Sequence, residues 1–340
     1  MKAIELHKYG SAKNAFRFVD KDIPVPKANE VVIKVEYTGL NFADVVARRG
    51  LYPDAPKNPA VLGYDVVGTV YQLGSEVSGL QIGDRVTALT RFGGYAEYAC
   101  TMKEGVAKIP DSMDPAAATA LATQACTAYY SAEYMYNLRK GDNVLIHAAA
   151  GGVGSILVQL AKHRGCTVFA TASASKSGYL ESIGADHIID YRNKDFKSEI
   201  QRILGGNKID VVFDSIGGST FKKSWQLLQP CGSLISYGAA SQISGNNKLK
   251  ALGAVFGFGL FSPIQLLMQS RSLLTVNMLR VADNKAEKFQ EVLKKVIPFS
   301  SEGIIEPKLG KVFDVQDIAE AHDYLESRKS IGKIVLKWQS

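Results

Sequence analysis

The stretch "LIHAAAGGVG", residues 145–154, places three glycines directly after an apolar run. The spacing is close to the dinucleotide-binding pattern G-x-G-x-x-G, except that Ala149 stands where the first glycine belongs. Backbone at Gly151, Gly152 and Gly154 could approach a pyrophosphate, and a following helix would offer unpaired N–H groups and the positive end of its dipole. The same glycines also suit close helix–strand packing without a ligand, so the surrounding elements must decide.

The segments around the glycines follow the order strand, turn, helix, strand. "NVLIHA" (143–148) is a short apolar run, and residues from Val153 to Ala161 repeat apolar side chains at helical spacing. "TVFATA" (167–172) predicts the next strand. A glycine turn inside such a unit is the context in which this pattern binds a dinucleotide. We therefore predict that the turn holds the pyrophosphate of a cofactor.

The end of the second strand indicates which dinucleotide binds. A site for NAD usually carries Asp or Glu about 20 residues after the glycines, where it holds the ribose 2′-hydroxyl. Here "TASASKSGY" (171–179) contains Ser173, Ser175 and Lys176, and the first carboxylate is Glu181. Hydroxyls and an ammonium suit a 2′-phosphate, which a carboxylate would repel. The serines also fit an ordinary helix start, and both roles can coexist; the sequence predicts NADP(H).

The pattern of predicted secondary structure changes near residue 120. Before it, short strand-like runs alternate with Gly and Pro, which is typical of a mostly antiparallel β domain. After residue 123, strands and helices alternate, which predicts an α/β fold with a doubly wound parallel sheet. Ligands of such sheets bind at the carboxyl ends of the strands. The antiparallel runs are 31–40, 66–74, 83–89, 93–100 and 106–110, and the parallel ones are 143–148, 167–172, 187–191, 209–217 and 232–238.

The C-terminal part predicts a further strand at 272–279, two helices and a last strand at 332–338. This part is too short for a large core of its own, so we expect it to pack against the N-terminal β domain. The predicted domains are 1–122 for the first piece of the catalytic domain, 123–275 for the cofactor-binding domain with an apolar insertion near 246–270, and 276–340 for the return to the catalytic domain.

Composition limits the possible functions. The 340 residues carry a net charge of +7, which favours anionic ligands, but the 40 basic residues are scattered and do not predict nucleic-acid binding. Four distant cysteines fit free thiols in the cytoplasm, and the first residues contain no apolar signal segment. Residues 251–268 are uncharged but interrupted by Gly and Pro, which favours a buried or interface segment over membrane contact.

Four stretches, two of which include residues discussed above, carry a family resemblance: "GLNFADVVARRGLYP" (39–53), "TAYYSA" (127–132) with "HAAAGGVG", "TASASK" (171–176) and "ADHIIDYRNKDF" (185–196). Together they resemble the zinc-independent quinone oxidoreductases of the medium-chain dehydrogenase/reductase superfamily, in the branch that includes the vesicle amine transport protein. The resemblance runs nearly end to end. It implies a GroES-like β domain in two chain pieces, a Rossmann domain between them, NADP(H) as cofactor and often a homodimer.

The resemblance also implies roles for single residues around the cofactor. In the family's arrangement these are Lys176 and Tyr191 beside the 2′-phosphate and ribose; Gly151, Gly152 and Val153 over the pyrophosphate; Asn41, Thr127 and residues 276–278, with Asn277 at their centre, near the nicotinamide; Ser215, Ile216, Tyr237 and Gly238 along the strand ends; and Arg328 from the closing piece.

The sequence departs from zinc-using members of the superfamily, which hold their catalytic metal with Cys, His and a further Cys or acid. Asn41 occupies the first of these positions, and "GYD" (63–65) stands where a glycine is followed by His-Glu. Asn and Tyr are poor zinc ligands. A Cys-rich structural loop is also missing, because residues 85–110 contain only Cys100. We therefore predict no metal.

Without a metal, reduction of a carbonyl or enone needs a hydride and hydrogen bonds to the developing oxyanion. The polar candidates are Asn41, to orient the substrate or the nicotinamide amide, and Tyr52 or Tyr64, to donate a hydrogen bond or proton. Each tyrosine fits a packed aromatic equally well. Asp44 fits a structural hydrogen bond better than a base, and His147 fits a packed residue better than an acid.

Two functions follow from these features. The first is an NADPH-dependent oxidoreductase that transfers hydride to quinones or α,β-unsaturated carbonyl compounds. The alternative is an NADPH-binding sensor or interaction protein with little turnover, which contacts a membrane surface or nucleic acid through residues 246–270. Oxidation of NADPH in the presence of a suitable acceptor distinguishes the two.

Overall fold

The computed structural model of the chain describes residues 1–240 and 262–338. Two compact units divide the chain between them. The first, the β unit, comprises Met1–Cys126, Met278–Gly303 and Pro307–Ser340. The second, the Rossmann unit, comprises Thr127–Asn277 and Ile304–Glu306.

Strands occur throughout the described residues. In chain order they are β1 (Lys2–Leu6), β2 (Phe16–Asp20), β3 (Glu30–Leu40), β4 (Ala60–Val61), β5 (Asp65–Leu73), β6 (Arg85–Leu89), β7 (Tyr98–Met102), β8 (Val106–Lys108), β9 (Asn143–Ile146), β10 (Thr167–Ala172), β11 (His187–Asp190), β12 (Ile209–Asp214), β13 (Leu228–Ser236), β14 (Ser272–Thr275), β15 (Leu309–Asp314) and β16 (Lys333–Lys337).

Helices connect most of these strands. In chain order they are α1 (Ala12–Ala15), α2 (Phe42–Arg48), α3 (Pro115–Ala120), α4 (Cys126–Tyr129), α5 (Gly152–His163), α6 (Ser177–Ser182), α7 (Phe196–Leu204), α8 (Ser219–Leu227), α9 (Pro263–Gln269), α10 (Met278–Asn284), α11 (Ala286–Ser301) and α12 (Ile318–Glu326). Wider π-helical turns at Leu121–Ala125 and Tyr130–Tyr136 flank α4.

The Rossmann unit contains one parallel sheet in the order β11-β10-β9-β12-β13-β14. Its strands are apolar on both faces: Leu145, Phe169, Val212 and Leu234 are almost completely buried in one core. That burial explains why these strands read as nearly continuous hydrophobic runs. The chain adds strands outward on both sides of β9, so the order reverses beside the strand that precedes the glycines. The predicted doubly wound α/β fold is confirmed.

The β unit contains a seven-stranded sheet in which β15-β16-β3-β5-β6-β8 follow one another and β7 also pairs with β3. All of its pairs are antiparallel except β15 with β16. β1 joins β2 and β4 in a smaller sheet. β16 pairs with β3 from Ile334 opposite Leu40 to Lys337 opposite Tyr37. A strand near residue 335 therefore completes a sheet begun by residues 30–40, and the mostly antiparallel β architecture is confirmed.

The strand predicted at 272–279 is shorter in the structure. β14 ends at Thr275, and α10 begins at Met278. Thr275 pairs with Ser236, the last residue of β13. Because its neighbour ends there, the chain beyond has no parallel strand with which to continue pairing.

Sequence patterns also missed the helical segment between residues 115 and 136. It begins with a standard signal: Pro115 occupies the first helical position, and the Asp114 side chain accepts a hydrogen bond from the N–H of Ala116 at 3.1 Å. The residues that follow are mostly small or apolar, and most of those up to Ala132 are buried, so no continuous polar face marks a helical period.

The uncharged segment 251–268 lies largely outside the described residues. Its last residues, 262–268, include most of α9, on which Ile264, Leu267 and Met268 are exposed. Among the helices of residues 1–240 and 262–338, none combines the length and apolar character needed to cross a membrane.

Asp44 stabilises the start of α2. Its Oδ2 accepts a hydrogen bond from the backbone N–H of Asn41 at 2.8 Å, so the predicted structural role is confirmed. The residue is 1% exposed. Burial raises the pKa of Asp44 to about 7, and the nearby Asp65 carboxylate acts in the same direction. The folded protein therefore favours the protonated carboxyl over the carboxylate.

We predict that Asp44 makes the folded state less stable as pH rises. Its pKa is higher in the folded than in the unfolded state, so its contribution is complete below about pH 4 and is lost as pH rises through about 7. Asp44→Asn keeps the acceptor for the Asn41 N–H and removes the titration. The unfolding free energy of Asp44→Asn minus that of the unaltered protein should therefore be up to about 4 kcal/mol larger at pH 8 than at pH 4. Denaturant unfolding curves measure this difference; parallel pH profiles of the two proteins would contradict the prediction.

Candidate functional site

The glycine turn links β9 to α5 in the Rossmann unit. Gly151 precedes α5 with extended backbone (φ −78°, ψ 173°), and no side chain caps the helix. The Gly151 N–H donates to the carbonyl oxygen of Ala148 at 2.9 Å, which closes the turn. Gly151, Gly152 and Val153 are partly exposed. The first turn of a twelve-residue helix thus presents its N–H groups at an accessible position, as an anion site requires.

Three small residues at the turn have structural roles that involve no direct contact with a ligand. A Cβ on Gly154 would lie 2.5 Å from the Ala148 carbonyl oxygen and 2.8 Å from Ala149 Cα, so this glycine allows α5 to pack on the turn. Ala148 has a φ of 49°, in the left-handed region that usually favours glycine. Ala149 is buried, and its N–H donates to Thr171. Ala149, which stands in place of the first glycine, is therefore a packed residue, and the left-handed backbone lies one residue earlier, at Ala148.

The end of β10 carries the residues predicted to bind a 2′-phosphate. Ser173 is buried, and its hydroxyl lies 3.3 Å from that of Ser175. Lys176 is partly buried; this burial lowers the pKa of its ammonium, and Arg192 nearby lowers it further. Arg192 was not predicted, although it follows β11, which pairs with β10. Two cations beside serine hydroxyls suit a dianionic group.

Other predicted cofactor residues also follow the carboxyl ends of parallel strands. The Tyr191 N–H donates to Ala172 at the end of β10, and the Tyr191 side chain is exposed. Ser215 and Ile216 follow β12, and the Ile216 N–H donates to the Asp214 carboxylate at 2.6 Å.

The end of β13 is packed closely against the end of β12. The Tyr237 N–H donates to the Asp214 carbonyl oxygen at 3.0 Å. A Cβ on Gly238 would lie 3.0 Å from the Ser215 carbonyl oxygen, so only a glycine fits there without displacement. Together with the glycine turn and Tyr191, these residues occupy one edge of the sheet.

The remaining predicted cofactor residues have different surroundings. Thr127 is buried in α4, and its carbonyl oxygen accepts the Ser131 hydroxyl at 2.6 Å. Asn277 is exposed between β14 and α10. Arg328 belongs to the β unit, where it is exposed after α12 with a φ of 61°. These surroundings do not test whether Thr127, Asn277 or Arg328 contacts a cofactor, so the roles of the three residues stay predictions.

Asn41 belongs to a buried set of polar side chains in the β unit, called the Asn41 cluster. Its Nδ2 donates to Asp65 Oδ2 at 2.5 Å. Its Oδ1 accepts from Lys333 Nζ at 3.1 Å and from Gln124 Nε2 at 3.4 Å. Asp65 also pairs with the Lys333 ammonium and accepts the Thr123 hydroxyl. The cluster consists of Asn41, Asp65, Thr123, Gln124 and Lys333.

Lys333, like Thr123 and Gln124, is a member that sequence patterns did not indicate. Lys333 and Asp65 are both 0% exposed. The lysine side chain crosses β3 above Gly39: a Cβ on Gly39 would lie 2.2 Å from Lys333 Cε and 2.7 Å from its Nζ. A glycine at this position of the central strand therefore makes room for the buried ion pair.

The two candidate tyrosines lie near each other in the β unit. Tyr64 is 5% exposed and packs edge-on against Phe92, with ring centroids 5.9 Å apart. Burial raises the pKa of Tyr64 well above its usual value and that of Tyr52 to about 12. Within the described residues, neither hydroxyl has a protein hydrogen-bond partner. Both hydroxyls keep their proton at physiological pH and can donate it in a hydrogen bond.

His147 is confirmed as a packed residue. Its Nδ1 lies 2.9 Å from the Thr171 hydroxyl and its Nε2 lies 2.7 Å from the Ser224 hydroxyl. The ring is 2% exposed and contacts Phe196 edge-on. Burial lowers the pKa of His147, so the neutral ring is favoured.

The described residues also bear on metal binding. Across residues 1–240 and 262–338, no three His, Cys, Asp or Glu side chains are grouped as a metal site requires. At the positions where zinc-using relatives carry Cys and His, this chain has the Asn41 carboxamide and the Tyr64 phenol, and both are poor zinc ligands.

Known proteins resemble the chain over its full length. A family model described as zinc-binding dehydrogenase matches residues 183–336, and one described as alcohol dehydrogenase GroES-like domain matches residues 27–111. The synaptic vesicle membrane protein VAT-1 homolog of Danio rerio is 34% identical over 338 residues, which are 98% of this chain and 69% of that protein.

Solved structures agree with this relationship. The Escherichia coli quinone oxidoreductase complexed with NADPH has a TM-score of 0.86 and 29% identity, and the match covers 99% of this chain and 100% of that one. The CurK enoyl reductase has a TM-score of 0.87 and 28% identity over 99% of both chains. The chain therefore belongs to the medium-chain dehydrogenase/reductase superfamily, in the zinc-independent quinone oxidoreductase family and on its VAT-1 branch.

Proposed function

We propose that the protein is an NADPH-dependent oxidoreductase that transfers hydride to quinones or α,β-unsaturated carbonyl compounds without a metal ion. The observation that carries the proposal is the end of β10, where two serine hydroxyls and Lys176 lie beside Arg192, on the same sheet edge as the glycine turn. The relatives support it: one solved neighbour is a quinone oxidoreductase complexed with NADPH, and another is an enoyl reductase.

The residues at this sheet edge fit NADP(H). The uncapped start of α5 suits the pyrophosphate, and Gly151 leaves its backbone accessible. At the end of β10 no carboxylate opposes a 2′-phosphate; Ser173 and Lys176 would hold it, with Tyr191 beside them. An anion bound there would also relieve the repulsion between the Lys176 and Arg192 cations. Ser215, Ile216, Tyr237 and Gly238 would line the remaining length of the cofactor.

When bound, NADPH supplies a hydride to the acceptor. Reduction leaves negative charge on the acceptor's carbonyl oxygen, and fixed hydrogen-bond donors lower the energy of that charge. Tyr52 and Tyr64 suit this role because their raised pKa values keep both hydroxyls protonated, which makes them donors and not bases. The Asn41 carboxamide supplies a further N–H donor of fixed orientation.

We also propose that two copies pair through the edge of the Rossmann sheet. β14 is the last strand of that sheet among the described strands. On α9, which precedes it, Ile264, Leu267 and Met268 are exposed. An edge strand next to exposed apolar side chains suits a second copy, which would cover both. All four cysteines are free thiols, which supports the proposal of a reducing, cytoplasmic location.

The cofactor proposal predicts that Lys176→Glu weakens NADPH selectively. Replacing an ammonium with a carboxylate removes a phosphate contact and adds repulsion, so the Kd for NADPH should rise about 100-fold or more. The Kd for NADH, which lacks the 2′-phosphate, should change less than about threefold. Fluorescence titration measures both, with the exposed Lys222→Glu on α8 as a matched control. Tighter binding of NADH than of NADPH by the unaltered protein would overturn the proposal.

The proposed reaction predicts NADPH oxidation with at least one member of a quinone and enone panel, and a rate that dialysis against a strong chelator leaves unchanged. Tyr52→Phe or Tyr64→Phe should lower kcat/KM for an enone about 100-fold, because each removes a donor to the oxyanion. Tyr71→Phe, on an exposed part of β5, is the control. NADPH binding without turnover of any acceptor would instead favour the sensor or interaction protein.

The proposed dimer predicts a solution mass of about twice the 36.8 kDa of one chain. Light scattering after size-exclusion chromatography measures it. Leu267→Glu places a charge in the exposed apolar face of α9 and should shift the mass toward that of one chain. The mass of a single chain for the unaltered protein at micromolar concentration would refute the pairing.

A further inference from the structure

We infer that Lys333 and Asp65 are positioning residues, which hold the Asn41 carboxamide in one orientation so that one of its N–H groups can donate to the carbonyl oxygen of the acceptor. The inference rests on the proposed function and deepens it, because it adds two residues that are not among the predicted site residues.

The partners of the carboxamide determine its orientation. Asp65 is a pure acceptor, and it faces Asn41 Nδ2 at 2.5 Å. The Lys333 ammonium is a pure donor, and it faces Asn41 Oδ1 at 3.1 Å. Rotation of the carboxamide by 180° would set oxygen against carboxylate and N–H against ammonium. Both contacts would become repulsive inside a buried cluster, so a single orientation is stable.

The ion pair that imposes this orientation is itself held rigidly. Lys333 and Asp65 are both 0% exposed, and they belong to strands that lie on either side of β3. Gly39 on β3 pairs with Val335 on one side and with Asp65 on the other. The space above Gly39 accommodates the lysine chain, and the Thr123 hydroxyl donates to the second oxygen of Asp65.

In this arrangement one of the two Nδ2 hydrogens of Asn41 makes no hydrogen bond to the described residues. The Nδ2 atom carries two hydrogens, and Asp65 accepts one of them. Oδ1 is occupied by Lys333 and Gln124. Nδ2 makes no second hydrogen bond to any residue in the described ranges, and the Asn41 residue retains 7% exposure. A fixed, nearly buried N–H of this kind suits a carbonyl oxygen on which negative charge develops.

The test removes the ion pair while leaving the cluster neutral. Lys333→Met alone leaves a buried carboxylate without its partner and risks loss of folding. The double variant Lys333→Met/Asp65→Asn removes both charges, retains the side-chain lengths and lets either end of residue 65 face Asn41. Lys337→Met on the same strand is the matched control, because Lys337 is exposed. A far-ultraviolet circular dichroism spectrum like that of the unaltered protein and a cooperative denaturant unfolding transition identify variants that are correctly folded.

Two measurements report on the proposal. The first is exchange of the Asn41 side-chain N–H protons with solvent, assigned in nitrogen-15 spectra by its loss in Asn41→Asp; the double variant should exchange at least about tenfold faster than the unaltered protein and Lys337→Met. The second is kcat/KM for the acceptor at saturating NADPH, which should fall about 100-fold while the Kd for NADPH changes less than about threefold.

The possible failures are separable. Unchanged N–H exchange in the double variant would overturn the positioning role, whether or not the protein turns over an acceptor. A loss of NADPH affinity equal to the loss in kcat/KM would show that the N–H serves the carboxamide of the nicotinamide, and would overturn the assignment to the acceptor. If none of the quinones and enones tested supports oxidation of NADPH by the unaltered protein, the proposed function fails. The exchange measurement still decides whether Lys333 and Asp65 orient Asn41.

Discussion

A lysine ammonium and an aspartate carboxylate lie in contact inside the β unit, both without solvent exposure. Each charge alone would cost several kcal/mol to bury, on the order estimated for single ions in protein interiors, and the pair is tolerable only because further hydrogen bonds satisfy both groups. Asn41 bonds to both charged groups and the Thr123 hydroxyl donates to Asp65, while Gln124 donates to the Asn41 carboxamide oxygen. The ion pair connects β16 to β5 across β3 and contacts the Asn41 carboxamide at the start of α2, so the packing of the β unit and the candidate chemistry involve the same residues.

The Rossmann unit uses charge in the opposite way. At the end of β10 the structure brings two cations together, and the burial and proximity that result lower the pKa of the Lys176 ammonium. Such an arrangement is favourable once an anion lies between the charges. In the β unit the buried Lys333 ammonium is paired with Asp65, whereas in the Rossmann unit Lys176 and Arg192 lie close enough to repel each other, and we propose that these two cations bind the 2′-phosphate of the cofactor. This difference separates a structural electrostatic cluster from one suited to a ligand.

The parts of the molecule that sequence patterns predicted are those determined locally. The glycine turn, the strand before it and the helix after it follow from residues within about 20 positions of one another, and the period of apolar residues identified them. Lys176 was found because it lies at the end of a predicted strand. Arg192 was missed although the same logic applies, since β10 and β11 are neighbours and the residues after them must meet.

Lys333 could not be recognised in this way. In "GKIVLKW" it has the appearance of a lysine at the exposed start of a strand. It is buried because β16 lies between β15 and β3, and that position depends on pairing with residues almost 300 positions earlier. The helical segment after Asp114 was missed for a different reason, because a helix that is buried on nearly all sides has no polar face to reveal its period.

The separation of 268 residues between Lys333 and Asp65 has a consequence for synthesis of the protein. Strands β3 and β5 leave the ribosome long before β16, so during that interval Asp65 and Asn41 lack the ammonium that satisfies them. The Rossmann unit draws nearly all of its chain from Thr127–Asn277 and can form as a nearly continuous piece. We expect the β unit to reach its native packing last, as a step that waits for the final strand of the chain and that is slow because its contacts are so distant in sequence.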